Sequence, residues 1–133
     1  MIDCENEVFT RISEVLEETY SDIDIASDYV STPAAFPHVS ITQSDCYTTT
    51  DKQDTSMSEN MVTVVFEINV YSNKTSGKKA ECKDIMNTID SKMQYMNFRR
   101  TALTPVPNLE DATIYRLTAR YSAATDGKNF YRR

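Results

Sequence analysis

Residues 61–96 constrain this chain more than any other stretch. In MVTVVFEINVY, residues 61–71, Val62, Val64, Phe66, Ile68 and Val70 recur with the two-residue period of a strand and make one wholly apolar face. Thr63, Glu67 and Asn69 point the other way, with Val65 and Tyr71 among them. A strand with such a face must be covered by a helix or a second sheet. The next apolar residues supply the cover. Cys82, Ile85, Met86, Ile89, Met93 and Met96 fall at helical spacing, a continuous stripe along about five turns. Between the two lies Ser76-Gly77-Lys78-Lys79, which has the outline of a phosphate loop. It lacks the substance, because Ser72 stands where the first glycine is needed and Lys79 where a magnesium-binding hydroxyl is needed. The turn is therefore expected to fold a long helix back over its own strand. Thr75 or Ser76 is expected to cap the helix, and Asn97 to end it in the left-handed region.

The other elements follow from period and punctuation. Residues 3–20 place Val8, Ile12, Val15, Leu16 and Thr19 on one helical face, with Asp3 as cap and Glu5 and Glu7 at the positive end of the dipole. A short extended piece is expected at 23–26, with Tyr29 and Val30 as a further one; Pro33 and Pro37 then hold Thr32 and Phe36 extended. Residues 38–43 alternate as a half-buried strand. Residues 44–59 are rich in Ser, Thr and Asp without a period and read as a long loop. Strands are expected at 98–104 and 113–124, with the Pro105–Pro107 region as an extended arm or wide hairpin between them. Residues 125–133 read as a basic, aromatic C-terminal tail. The sum is one α+β domain spanning 1–133: a mostly antiparallel sheet with two helices packed on one face.

Composition excludes several classes. With 40% hydrophobic and 26% charged residues the chain is an ordinary folded protein, with no run long enough for a membrane span and no signal-peptide layout, so a cytoplasmic place of synthesis is expected. Cys4, Cys46 and Cys82 are scattered and odd in number, which favours free thiols; Cys82 lies on the apolar stripe as a small buried hydrophobe. His38, the one histidine, has no Ser or Cys at a spacing that suggests a triad, and reads as a surface or strand-edge residue. Asp22, Asp24 and Asp28 lack the glycine and terminal glutamate of a calcium loop. No cofactor or metal is expected.

Charge is divided along the chain. Residues 1–60 hold 13 acids and 2 bases, and residues 61–133 hold 7 acids and 12 bases, for a net charge of −6. Either the halves intermix in space, or the molecule has one acidic and one basic surface able to attract each other between copies. The polar loop, the proline arm and the tail are more surface than a small monomer needs, and unlike faces that meet head to tail close into a ring when the rotation permits. Candidate subunit-interface residues are Lys78, Lys79, Arg116, Arg120, Asp45, Asp51, Asp54, Arg132 and Arg133.

FPHVSI at 36–41, FEINVYSNKTSGKKAEC at 66–82 and PVPNLEDATIYRLTARYSA at 105–123 resemble the small tail terminator (tail completion or minor tail) proteins of long-tailed bacteriophages. The resemblance covers nearly the whole chain in element order. It implies a non-enzymatic subunit of a six-membered ring in the virion neck, assembled in the host cytoplasm, which caps the tail tube, stops its growth and joins the head connector. Its partners would be further copies, the tube protein and neck proteins. DNA would pass through the lumen without specific binding, and an acidic pore would not trap it. Another neck component or a tail-like bacteriocin subunit is the nearest alternative. A small cytoplasmic enzyme or ligand-binding domain using His38 is the distant one.

Overall fold

The computed structural model of the chain describes residues 4–20, 23–27, 36–48, 62–74, 76–107, 113–126 and 130–131. The elements are α1 (Glu5–Thr19), β1 (Asp24–Ala26), β2 (His38–Thr48), β3 (Val62–Ser72), α2 (Lys78–Tyr95), β4 (Arg99–Pro107), β5 (Tyr115–Thr125) and β6 (Phe130–Tyr131). The strands form one sheet in the order β1-β2-β3-β5-β4, with β6 added to β5. β1 and β2 run parallel and every other pairing is antiparallel. Both helices lie on one face, α1 against β2 and α2 across β3 and β5, so the fold is α+β as the sequence pattern predicts.

The apolar stripes meet as their periods require. Val62, Val64, Phe66, Ile68 and Val70 of β3 are buried with Val8, Ile12 and Leu16 of α1 and with Cys82, Ile85, Met86, Ile89 and Met93 of α2. Thr19, expected on the α1 stripe, is exposed instead, and its hydroxyl donates to the Val15 carbonyl at 2.8 Å. Asp3, the expected cap, lies outside the described residues, and α1 begins after Cys4 without a side-chain cap.

The turn before α2 depends on backbone conformation. Gly77 is the N-cap residue at φ +86°, and nothing lies within 4 Å of a Cβ added there. Glycine is therefore required for its left-handed freedom and not for space. The expected Ser76 cap is absent, and Thr75 lies outside the described residues. Glu81 organises the first turn in place of a cap: it accepts from the Ser72 hydroxyl at 2.6 Å and pairs with Lys74 at 3.2 Å. Gly77→Ala is expected to lower stability by about 1–2 kcal/mol, the cost of an L-residue in this region, with the circular dichroism spectrum unchanged. An unaltered urea midpoint would show that the turn relaxes freely.

The far end of α2 closes in a Schellman motif. Asn97 sits at φ 69°, its N–H donating to Gln94 O at 3.0 Å and that of Phe98 to Met93 O at 2.8 Å. This is the left-handed stop that the sequence predicts.

Three boundaries differ from expectation. β2 runs to Thr48, so the first five residues of the expected 44–59 loop are strand; a register shift between Gln43 and Asp45 absorbs Ser44 as a bulge. The remainder of that loop lies outside the described residues. β4 continues through Pro105 and Pro107, which a strand at the end of the sheet order tolerates better than a central one. The expected tail begins inside β5 at Thr125 and returns as β6, pairing Thr125 with Phe130 and Ala124 with Tyr131 where β4 has run out. Phe130 is buried, its ring centroid 4.9 Å from that of Phe98, and Phe98 in turn stands edge-on to Phe66 at 5.7 Å. The Asn97 amide donates to the Phe130 carbonyl at 3.1 Å, tying this end of the chain to the helix stop.

Candidate functional site: a polar sheet face and a groove beside α2

Strand alternation sends every second side chain to the face without helices. The registers line these residues up in transverse rows. Asp24, His38, Tyr71 and Arg116 form one row, Ser40, Asn69 and Thr118 a second, and Thr42, Glu67 and Arg120 a third. Much of this face is buried; His38, Ser40, Asn69, Tyr71 and Thr118 are all enclosed.

His38 corrects the reading of a surface or strand-edge histidine, for it is 3% exposed. Parallel pairing sets Asp24 beside it, and Asp24 Oδ2 lies 2.8 Å from His38 Nδ1. Nδ1–H donating to this carboxylate leaves Nε2 an acceptor in the neutral ring and a donor in the imidazolium. The imidazole also stands 5.7 Å from the Tyr71 ring, and the Arg116 guanidinium lies 5.7 Å from the same ring. Asn69 Oδ1 accepts from Arg116 Nε at 3.0 Å and from the Thr118 hydroxyl at 2.6 Å. His38 Nε2 and Asn69 Nδ2 are buried without a hydrogen-bond partner among the described residues. The cluster thus combines an aspartate-positioned imidazole, a carboxamide donor and an arginine held in place by its own chain.

The residues singled out from sequence divide into distinct settings. Arg116 and Arg120 share the polar face but serve the chain first: Arg116 bonds Asn69, and Arg120 pairs with Glu67 at 3.3 Å. Lys78 reaches the Thr113 carbonyl at 3.1 Å, while Lys79 is exposed one residue along α2. Asp45 is exposed on β2, where its side chain accepts from the Cys46 N–H at 2.8 Å. Asp51, Asp54, Arg132 and Arg133 lie outside the described residues. Sequence reasoning misses the Asp24–His38 pair because it depends on a parallel register between a three-residue strand and its neighbour, which no local period encodes.

A second feature lies on the helix face. α2 leaves the helix side of β4 open, and a groove of about 390 Å³ remains between Lys83, Asp84, Met86, Asn87 and Asp90 of α2, Arg100 and Leu103 of β4, and Leu117 of β5. Leu103 is 40% exposed there. Asp90 anchors one wall, accepting from the Tyr121 hydroxyl at 2.9 Å and from Arg100 at 3.4 Å. Burial, reinforced by that hydrogen bond, pushes the Tyr121 phenol well above its ordinary range. Cys82 is equally enclosed; burial and then the neighbouring Glu81 push its thiol up to about 12, so it is a core residue and not a nucleophile.

The strand order also resolves the charge division. At one lateral end of the sheet α1, β1 and β2 carry Glu5, Glu7, Glu14, Glu17, Glu18, Asp24 and Asp45 against Arg11. Toward the other end β4 and β5 carry Arg99, Arg100, Arg116 and Arg120 with no acid. Among the described residues the charges of these elements are therefore segregated in space. Among the described residues no three His, Cys, Asp or Glu side chains gather as a metal site, and no helix is long and apolar enough to cross a membrane. Compared with protein-family models and with curated proteins, the chain matches none.

Proposed function

We propose that this chain is a structural subunit of a ring that caps the head-proximal end of a long-tailed phage tail tube, ends tube growth and offers the surface on which the head connector joins. The observation that carries the reading is the lateral polarity of the sheet, acidic at the α1–β2 end and basic at the β4–β5 end. Unlike ends that attract favour a heterologous, head-to-tail contact, and such contacts close into rings when the rotation permits. The segment with the strongest family likeness, 66–82, is the β3–Gly77–α2 unit at the centre of the fold. In this role the surfaces outside the lateral contact meet the tube protein and the connector, and the virion neck is its location.

The test adds purified protein to growing tail tubes. Tubes are expected to stop elongating at a stoichiometric amount of a six-subunit species, identified by native mass spectrometry on the capped tubes. Tubes that keep elongating in a saturating excess would sink the reading.

A further inference from the structure

We propose that the sheet continues from one copy of this chain into the next, the outer edge of β2 pairing antiparallel with the outer edge that β4 and β6 form together. The inference deepens the ring reading by naming the contact between copies, and rests on that reading for closure into a ring.

Both edges are open, and at the same height. β1 pairs with β2 over His38, Val39 and Ser40, so among the described residues no strand flanks β2 from Ile41 to Thr48. β4 ends the sheet order on the other side, and β6 continues its line beside β5 where β4 has run out. The blocked parts match as well. His38 and Ser40, flanked by β1, share rows with Tyr71 and Asn69 of β3. Pro105 and Pro107, which blunt an edge, fall level with Val70 and Ser72 of β3. Between the rows of Val62 and Ile68 neither edge has a neighbouring strand among the described residues, and an unpaired edge is a template for another strand. Residues 44–47 and 99–104 are exposed throughout. The N–H groups of Gln43 and Cys46 donate to the carboxylates of Glu5 at 3.4 Å and Asp45 at 2.8 Å, which hold them in the single copy and yield to a partner's carbonyls.

Direction and register identify the occupant as a second copy. β2 runs antiparallel to β3, β3 to β5, and β5 to both β4 and β6, so β2 is antiparallel to β4 and β6. Rotation about an axis along the strands therefore joins the two edges antiparallel, keeps the helices on one side, and returns each transverse row at its own height. One row of the helix-free face reads Asp45, Val65, Ser122, Arg99, so Asp45 of one copy meets Arg99 of the next. Another reads Tyr47, Thr63, Ala124, Tyr131 and sets Tyr47 beside Tyr131 across the join. These tyrosines are 51% and 44% exposed in the single copy. One rotation thus pairs opposite charges, in the sense that the lateral polarity requires, and covers both rings, and cross-strand pairs of these kinds stabilise a sheet.

Three experiments on the full chain, free and on tail tubes, test this. Asp45→Arg and Arg99→Glu are each expected to weaken self-association about tenfold, and the double variant D45R/R99E to restore it. Both positions are exposed, so folding is expected to be unchanged by circular dichroism. The second experiment places Tyr47→Cys and Tyr131→Cys together in a Cys46→Ser background, where the remaining Cys4 and Cys82 are buried, and oxidises the thiols with diamide. Within one copy positions 47 and 131 are three strand spacings apart, about 14 Å, too far for a disulfide. The expected product links 47 of one copy to 131 of the next, and neither single cysteine variant gives it. The third is amide hydrogen exchange, expected to slow about tenfold over 41–47 and 99–104 when copies associate, as backbone pairing requires and side-chain contact alone does not.

A link from 47 to 47 or from 131 to 131, unchanged exchange in both segments of an associated sample, or failure of D45R/R99E to regain association would each overturn the proposal. So would a chain that stays monomeric at every concentration and on tubes. Slowed exchange over 41–47 that needs tubes and comes with no link from 47 to 131 would assign the edge to the tube protein and overturn it too. If wild-type protein caps tubes and D45R and R99E cap them equally well, this contact falls and the ring reading stands. If the link from 47 to 131 forms but tubes are not capped, the contact stands and the ring's role falls.

Discussion

Phe98→Ala is expected to destabilise the domain by about 3–5 kcal/mol, the range for deleting a fully enclosed aromatic side chain. Phe98 is wholly buried at the joint where α2 turns into β4, and its ring bridges Phe66 of β3 and Phe130 of β6. Its backbone N–H also completes the Schellman bond to Met93 O. Truncation removes the packing and keeps the backbone bond, so the helix stop should persist while the three-ring cluster collapses. Against a total stability of about 5–15 kcal/mol for a domain, the loss is a large share. Urea unfolding measures it, with Phe130→Ala as the companion variant. Phe130 lies on a two-residue strand near the chain end and is expected to cost less, about 1–3 kcal/mol. An F98A protein within about 1 kcal/mol of the parent would remove the aromatic cluster from the account of why 130–131 is ordered.

That cluster marks where local pattern stops being informative. The β3 and α2 stripes are readable because each element repeats its own period over many residues, and the left-handed stop is readable because asparagine tolerates positive φ after an apolar run. Phe130 offers no period: it and Tyr131 are two adjacent aromatics in an otherwise polar stretch, and the place of Phe130 depends on Phe98, far away in the chain, being presented where β4 begins and β6 can pair with the end of β5. Residues 44–48 fail for a related reason. Gln43, Ser44 and Asp45 break the alternation through a bulge, so a strand that continues past it looks like loop. Pro105 and Pro107 signal an interruption in any central strand, and edge placement, which removes the penalty, is a property of the whole sheet order.

The site is less readable than the fold. Arg116 and Arg120 stand out in sequence as a pair on one strand face, but what they do is decided by Asn69 and Glu67, set opposite them by the β3–β5 register. The charge division is visible as numbers along the chain. Its meaning requires the strand order, because a different order with β4 beside β2 would interleave acids and arginines and erase the polarity. The groove is a negative feature, the area α2 fails to cover, and helix periodicity describes what a helix covers and not where its cover ends.

Alkaline pH should unfold the protein through Cys82 and Tyr121, by about 4 kcal/mol between pH 8 and 11. Burial raises both groups, Cys82 from the ordinary thiol value of 9.0 to about 12 and the Tyr121 phenol beyond its ordinary 10.0, with Glu81 and Asp90 adding repulsion to the ionised forms. In the unfolded chain the thiol loses its proton near 9 and a phenol near 10, while in the native state both keep theirs. The unfolded state then binds fewer protons, and stability must fall as pH rises. The contribution is whole below about pH 8, declines through the window set by Cys82, and steepens above about pH 10 as Tyr121 joins it, at up to about 1.4 kcal/mol per pH unit for each group. Unfolding free energy measured across this range resolves the two. Cys82→Ala should flatten the profile from about pH 9 upward, at a small constant cost in packing, and Tyr121→Phe should flatten it above about pH 10, at the cost of the bond to Asp90, about 1 kcal/mol. Stability that stays level to about pH 11 in the parent would mean that water reaches the α2–β5 interface, and Cys82 could then no longer be counted as a core residue of that helix.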